Sequence, residues 1–200
     1  MGMCHPCSRQ LNYAHHFKKR THAMQAQLEY RMGLYSVQSL TFFRKKSIEQ
    51  SALHDLKYGG NTEIATFFGK ELAEKMNRCF WLKDVDLLLP IPLHWKKEKK
   101  RGYNQALILA EAISAQNSIA VNQQLTKKVE GKGITKGRRY ERISNQNLGF
   151  EWVGKNLPAG SHVVVVDDVI TTGATLEAAI RAIPNAHELK FSALSIAHTL

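Results

Sequence analysis

The chain has 200 residues, 44% of them apolar and 22% charged, and 28 Lys+Arg against 17 Asp+Glu give a formal charge of +11. That is the composition of one ordinary globular domain with a short appendage, and it excludes a disordered chain, a collagen-like fibre, a disulfide-stapled miniprotein and two full enzymes in tandem. The basic surface suits a polyanion, whether nucleic acid, a membrane face or a phosphorylated metabolite.

The N-terminus MGMCHPCSRQ has no apolar core behind its first basic residue, so no signal peptide is read there. No apolar run approaches the roughly 20 residues of a membrane-spanning helix, so no membrane insertion is expected. Three cysteines, an odd number, fit a reducing cytoplasm better than a disulfide framework. The first thirty or so residues are polar and rich in His and Lys, with a helix predicted over Thr21–Tyr30. From Leu34 to Phe43 the β-branched and aromatic content predicts a strand. Ser47 is a good N-cap for a helix carrying Ile48, Ala52, Leu53 and Leu56, which Gly59-Gly60 would stop. A second helix starts at Thr62, with Ile64, Phe67, Phe68, Leu72 and Met76 at helical spacing.

VDLLLPIP (85–92) reads as a buried strand bounded by prolines, and WKKEKKRG (95–102) as a loop by its glycine and its charge. A helix over Tyr103–Gln116 would bury Leu107, Ala110 and Ile113. Residues 126–149 hold four glycines and many charges with little periodicity, and a loop of that length in a compact domain is usually functional or disordered. FEWV (150–153), HVVVV (162–166) and LKFSALSIA (189–197) read as strands, and the helix between the last two ends before Pro184. Strands alternating with helices predict an α/β domain with a largely parallel sheet.

Residues 163–179, VVVVDDVITTGATLEAA, carry the chemistry: an apolar strand, two adjacent carboxylates at its C-terminal end, a Thr/Gly loop, then a helix. Ligands of open α/β sheets sit at the C-terminal ends of strands. A Thr/Gly loop at a helix N-terminus offers N–H donors, hydroxyls and the positive dipole end, which suits a phosphate monoester. Gly173 lets the backbone approach that phosphate. Asp167 and Asp168 cannot bind phosphate, whereas the vicinal hydroxyls of a sugar donate strongly to carboxylates. A loop holding a 5′-phosphate and a 2′,3′-diol together reads ribose 5-phosphate. The bland alternative, a strand–loop–helix with Asp and Thr as caps, needs one acid and not this ordered string.

The segment closely resembles the 5-phosphoribosyl-1-pyrophosphate (PRPP) motif of type I phosphoribosyltransferases: four apolar residues, two acids, two apolar residues, then Thr-Thr-Gly-x-Thr, all matched by 163–175. LHDLKYGGN (53–61), LLPIPLHWKKEKKRGYNQALILAEAI (88–113) and ERISNQNLGF (141–150) narrow the resemblance to the ComF/GntX-like branch, which looks like the phosphoribosyl-transferring half of amidophosphoribosyltransferases. It covers most of the chain from Leu34 onward, so residues 34–200 are read as the phosphoribosyltransferase domain and 1–33 as an N-terminal segment. The resemblance implies the type I fold and PRPP binding with Mg²⁺. It also implies transfer of the phosphoribosyl group to a nitrogen acceptor with release of pyrophosphate, but no glutamine-derived ammonia chemistry.

By the same resemblance, Asp167, Asp168, Val169, Thr171, Thr172, Gly173, Ala174 and Thr175 bind the ribose 5-phosphate half, with Asp167 and Asp168 on the hydroxyls. The loop after Pro90-Ile91-Pro92 corresponds to the pyrophosphate loop: Pro92, Leu93, His94, Lys97 and Arg101. Any single lysine among Lys96, Lys97, Lys99 and Lys100 also reads as a solvated charge, whereas Arg101 sits in the matched Arg-Gly-Tyr-Asn-Gln. Gly102 and Asn104 would shape the turn into the next helix, and Tyr103 reads either as core or as ligand-facing. Residues 126–149 take the place of the flexible catalytic loop, where Lys132, Lys136, Arg138, Arg139 and Arg142 would close over pyrophosphate. The chain departs from the pattern at Ile134-Thr135, where many relatives have Gln-Thr.

The resemblance also implies a zinc ribbon of two Cys-x-x-Cys pairs, of which this chain shows one, Cys4 and Cys7. The pair is read as the remnant of a ribbon. The alternative is a zinc half-site completed by His5, His15, His16 or His22, whose spacing fits no standard ribbon. Cys79 beside Phe80 and Trp81 reads as a small buried hydrophobe. Two rival functions stay open: a PRPP-sensing or single-stranded-DNA-binding component of a DNA-uptake system, and a structural partner in the competence machinery. Against DNA binding, no stripe of interleaved aromatic and basic residues is evident in the sequence. A homodimer is compatible with the resemblance. The sequence names neither the acceptor nor the pathway.

Overall fold

In the computed structural model, residues 3–14, 17, 22–127 and 149–199 are described. Helices α1 (His5–Arg9) and α2 (Ala23–Met32) precede strand β1 (Ser36–Phe42), then α3 (Ile48–Tyr58) and α4 (Thr62–Asn77). Strand β2 (Leu87–Pro90) leads to α5 (Trp95–Arg101) and α6 (Gln105–Asn117), followed by the short strands β3 (Ala120–Val121), β4 (Leu125–Lys127) and β5 (Phe150–Trp152). Strand β6 (His162–Ile170), helix α7 (Ala174–Arg181) and strand β7 (Lys190–His198) complete the fold.

The main sheet runs β1-β7-β6-β2-β3 with every pair parallel, and β4–β5 form a separate antiparallel pair. The type I phosphoribosyltransferase fold expected from the sequence is the one observed: a parallel α/β sheet flanked by helices. Successive valines of β6 serve opposite faces. Val164 and Val166 join the cluster under α3, α4 and α6, while Val163 and Val165 join the one under α2 and α7. Both faces are covered, which is why this strand is continuously apolar rather than alternating. Met24 and Leu28 of α2 belong to the second cluster, so the segment before residue 34 contributes to the core. The Gln25 side chain of α2 donates to Leu34 O at 3.1 Å and accepts from Val37 N–H, satisfying backbone at the start of β1. Among the described residues no helix is long and apolar enough to cross a membrane.

Three expectations are corrected. Residues 95–101 are a helix, not a loop. Lys, Glu and Arg are good helix formers, His94 accepts from Lys96 N–H at 3.2 Å as N-cap, and Gly102, at φ +84°, ends the helix. The glycine marked a helix end. Strand 162–166 extends to Ile170, so both acids lie within β6. Leu107 is only half-buried and lines a surface cavity, while Ala106, Leu109, Ala110 and Ile113 carry the buried face of α6.

Helices α4 and α6 cross tightly at Gly69, where a Cβ would fall 2.5 Å from Ala112 Cβ and 3.0 Å from Leu109 O. Gly69→Val is expected to overpack this crossing by about 3 kcal/mol. That lowers Tm by roughly 6–12 °C for a domain of this size. Thermal melting checks it, with Ala112→Gly on the same chain expected to recover part of the loss.

Candidate functional site

The site is built where β6 and β2 end. The backbone N–H of Asp168 donates to Asp167 Oδ1 at 2.8 Å, fixing the first carboxylate against the strand. Asp168 is buried, whereas Asp167 keeps some exposed surface although it is deeply set among its neighbours. Desolvation, and then the neighbouring Asp168, push the Asp167 carboxyl up to about 8. Burial thus disfavours the charged form of this carboxyl, and donor hydroxyls or a divalent cation would stabilise that form.

Beyond the acids, Thr171 and Thr172 are exposed at the turn and Thr175 is half-buried in the first turn of α7. Gly173 takes the cap position of α7 with φ +76°, and Thr172 Oγ1 accepts from Ala174 N–H at 3.4 Å. The helix therefore opens without a bulky cap, leaving its positive end toward solvent, as a phosphate requires. Helix α2 closes the back of this loop. Arg31 donates to Thr172 O at 2.6 Å and pairs with Glu177 at 2.6 Å, and Leu28 packs where a Cβ on Gly173 would sit. Val169 packs its side chain against the core under α4 and α6, and its backbone lies in β6 in register with Ala197 of β7.

The neighbouring loop continues β2: Ile91 N–H donates to Val166 O at 2.9 Å, and Asn104, the N-cap of α6, donates to Ile91 O at 3.0 Å. Asn104 thus shapes the turn as expected. Pro92 and Leu93 line a cavity of about 280 Å³ with Trp95, Asn104, Leu107 and Lys127. The His94 ring is engaged in capping α5 and stacking on Trp95 at 5.9 Å. Lys96, Lys97, Lys99 and Lys100 are exposed, whereas Arg101 is half-buried and donates to Gln105 Oε1 at 2.9 Å. Burial, then repulsion from Lys97, lowers the Lys127 ammonium, and the attraction of Asp167 opposes that, so Lys97, Lys127 and Asp167 share one field. Tyr103 faces inward and donates to Leu56 O.

Two residues reach the acids without having been singled out in the sequence. Lys57, at the end of α3, meets Asp168 Oδ2 at 2.9 Å, and Gln105 donates to the same oxygen at 2.9 Å. The only signal for Lys57 was its place in LKYGG. The five cations Lys132, Lys136, Arg138, Arg139 and Arg142 of the expected closing loop lie outside the described residues, as do His15 and His16. Cys4 is exposed and Cys7 half-buried, and their thiols hydrogen-bond to each other, lowering Cys4 and raising Cys7. Among the described residues no cluster of three or more metal-ligating side chains exists, so the described donor set does not complete a tetrahedral zinc site. Cys79 is buried, its thiol pushed up to about 11 by desolvation, as a small core residue should be.

One reading of the sequence changes here. Tyr58 is 64% exposed with Arg101 over its ring at 5.4 Å, and Trp95 is 47% exposed with Lys96 over its ring at 5.6 Å. Tyr58 of α3 thus joins Trp95 beside the cations of α5, and its contact with Arg101 links distant segments in a way that the linear sequence does not display.

Residues 103–192 match the phosphoribosyl transferase domain family, a span that includes both acids and the Thr/Gly loop but not Lys57 or Arg101. The chain is 27% identical over 146 residues to competence protein ComFC of Bacillus subtilis, covering 73% of this chain and 58% of that protein. It is 28% identical over 127 residues to the DNA utilization protein YhgH of Salmonella typhimurium, covering 62% of this chain and 56% of the relative. Over 101 residues it is 35% identical to competence protein F of Haemophilus influenzae, 50% of this chain and 44% of that one. The chain therefore spans about half the length of the curated relatives it matches.

Proposed function

The chain belongs with the ComF-like proteins that carry a phosphoribosyl transferase domain, and from that premise we propose that it binds PRPP with Mg²⁺ and transfers the phosphoribosyl group to a nitrogen acceptor. The observation that carries this reading is the side-by-side placement of an acid pair and an open Thr/Gly helix start, flanked by cations. In the proposed reaction the C1–O bond to pyrophosphate breaks, the leaving group keeps the electron pair, and the acceptor nitrogen forms the new C1–N bond and gives up a proton. Thr171, Thr172 and Thr175 with the α7 N-terminus hold the 5′-phosphate, and Asp167 and Asp168 hold the ribose hydroxyls. The Asp167 carboxylate, close to C1, also opposes the positive charge that develops there. Arg101 and Lys97 face the diphosphate. When bound, Mg²⁺ would neutralise diphosphate charge, and the carboxylate oxygens of Asp167 and Asp168 at the end of β6 are the hard donors that would hold such a complex. Three unpaired thiols support a reducing, cytoplasmic setting.

The relatives named for competence and DNA utilization support a link of this chain to the handling of incoming DNA. A second reading, a non-catalytic PRPP-sensing or single-stranded-DNA-binding component, is favoured by Tyr58 and Trp95 beside the basic α5, since bases stack on such rings and phosphates follow such cations. The two separate on one experiment: pyrophosphate release from Mg·PRPP across a panel of nucleobases and amines, alongside oligonucleotide binding at rising salt. Release that depends on one acceptor class supports transfer. No release with any acceptor, together with DNA affinity that survives physiological salt and falls in Trp95→Ala, supports the second reading.

A further inference from the structure

The cations around the acids do not play equal parts. Asp168 Oδ2 is held twice, by Lys57 Nζ at 2.9 Å and by Gln105 Nε2 at 2.9 Å, and among the described residues no side chain donates to Oδ1. The Gln105 amide is itself fixed, because its Oε1 accepts from Arg101 Nη1 at 2.9 Å, so its NH₂ must face Asp168. Arg101 in turn lies over the ring of Tyr58, the residue after Lys57, at 5.4 Å. Lys57, Asp168, Gln105, Arg101 and Tyr58 therefore close a ring contributed by α3, β6, α6 and α5. Tyr103 ties the same end of α3 down by donating to Leu56 O. Lys57 is about a quarter exposed and Asp168 7%, so this is a shielded pair with a second hydrogen bond on the same oxygen, unlike a mobile surface bridge.

We propose that Lys57 is a positioning residue for the ribose: with Gln105 it pins one oxygen of Asp168 and so turns the other toward the sugar hydroxyls. The inference rests on the ribose 5-phosphate reading of the site. It assigns the Lys-Tyr-Gly-Gly segment at 57–60, which lies outside the family match, to the working site. Lys57 acts through Asp168 and not on the diphosphate: its Nζ meets Asp168 Oδ2, whereas Arg101 is held by Gln105 Oε1 and the Tyr58 ring, neither of which is a contact of the Lys57 side chain.

The test is calorimetric titration of the full chain with ribose 5-phosphate and, separately, with Mg·pyrophosphate. Lys57→Met is expected to lower ribose 5-phosphate affinity about tenfold, the effect of losing one charge-assisted hydrogen bond on a buried carboxylate. Pyrophosphate affinity should change by less than about twofold, within the range of a peripheral charge. Lys57→Arg, which keeps the donor and the charge, is expected to restore most of the loss. Gln105→Leu removes the other bond to Oδ2 and should reproduce the Lys57→Met loss of ribose 5-phosphate affinity. Unchanged ribose 5-phosphate affinity in Lys57→Met overturns the inference, whatever Gln105→Leu shows, as does a loss in Lys57→Met confined to pyrophosphate or shared equally by both ligands. In each of those cases the proposed function survives, because the wild-type chain still binds. Binding of neither ligand by the wild-type chain overturns both.

Discussion

Replacing Gly173 by valine is expected to weaken phosphate binding severely and to destabilise the fold together. At φ +76° the backbone lies in the left-handed region, where a side chain costs roughly 1–2 kcal/mol and a β-branched one more. The new Cβ would fall 2.5 Å from Leu28 Cδ2 and 3.3 Å from Met32 Cε. Leu28 is 1% exposed and has nowhere to retreat, so the overlap is relieved by moving α2, the loop or both, at about 1–3 kcal/mol. Together these amount to roughly 3 kcal/mol or more, and to a Tm lowered by roughly 6–12 °C. The functional loss is larger than the stability loss suggests. Arg31 of α2 holds Thr172 O, so any displacement of α2 drags the backbone whose N–H groups would meet the phosphate. Ribose 5-phosphate affinity should fall on the order of a hundredfold, the effect of losing two good charge-assisted hydrogen bonds. Melting and calorimetry on one preparation check both; wild-type values in either would contradict the described packing.

Asp167→Asn carries the second large effect, and its sign reverses between stability and binding. The Asp167 carboxyl is pushed up to about 8 in the fold, chiefly by desolvation and then by Asp168, whereas in an unfolded chain it titrates near 3.8. Between these values the folded state keeps a proton that the unfolded state has released, so wild-type stability falls as pH rises from about 4 through about 8. Asparagine does not titrate. The Tm of Asp167→Asn relative to wild type is therefore expected to rise across that interval and to level off above it. Binding runs the other way. A ligand that needs the ionised acid must remove the proton, so wild-type affinity for Mg·PRPP should tighten with pH up to about 8, and the variant should lose both the affinity and the pH dependence. A residue that costs stability at working pH and is needed for binding is the signature of a site rather than of a core. A pH-independent difference in Tm would contradict it.

The order of the longer strands and helices was legible in the sequence because their apolar runs and helical spacing are strong, whereas α1 and the two- and three-residue strands β3 and β4 are too short to carry a pattern. The unbroken apolar run of β6 and the i, i+3, i+4 spacing of α4 each left one reading. Helix α5 was not legible from charge. Its cations look like a loop until His94 and Gly102 are recognised as caps, and then the same residues read as good helix formers. The acid pair and the Thr/Gly loop could be read because they are contiguous. Lys57 and Gln105 could not, since they reach Asp168 from positions over a hundred and over sixty residues earlier in the chain. For the same reason the interleaving of Tyr58 with Arg101 is invisible in one dimension, and so is the support that α2 gives to Gly173. Such contacts are written in the packing of α2, α3 and α6 on the sheet and in no local pattern.

The central claim is that the end of β6 is a PRPP site, and calorimetric titration of the wild-type chain with Mg·PRPP at pH 8, beside the Asp167→Asn/Asp168→Asn variant, tests it most directly. The account predicts saturable one-site binding by the wild-type chain and none by the double variant, with ribose 5-phosphate competing for the same site. Heats that do not saturate, or equal binding by both proteins, would contradict it and leave the cations of α5 to be explained by nucleic acid.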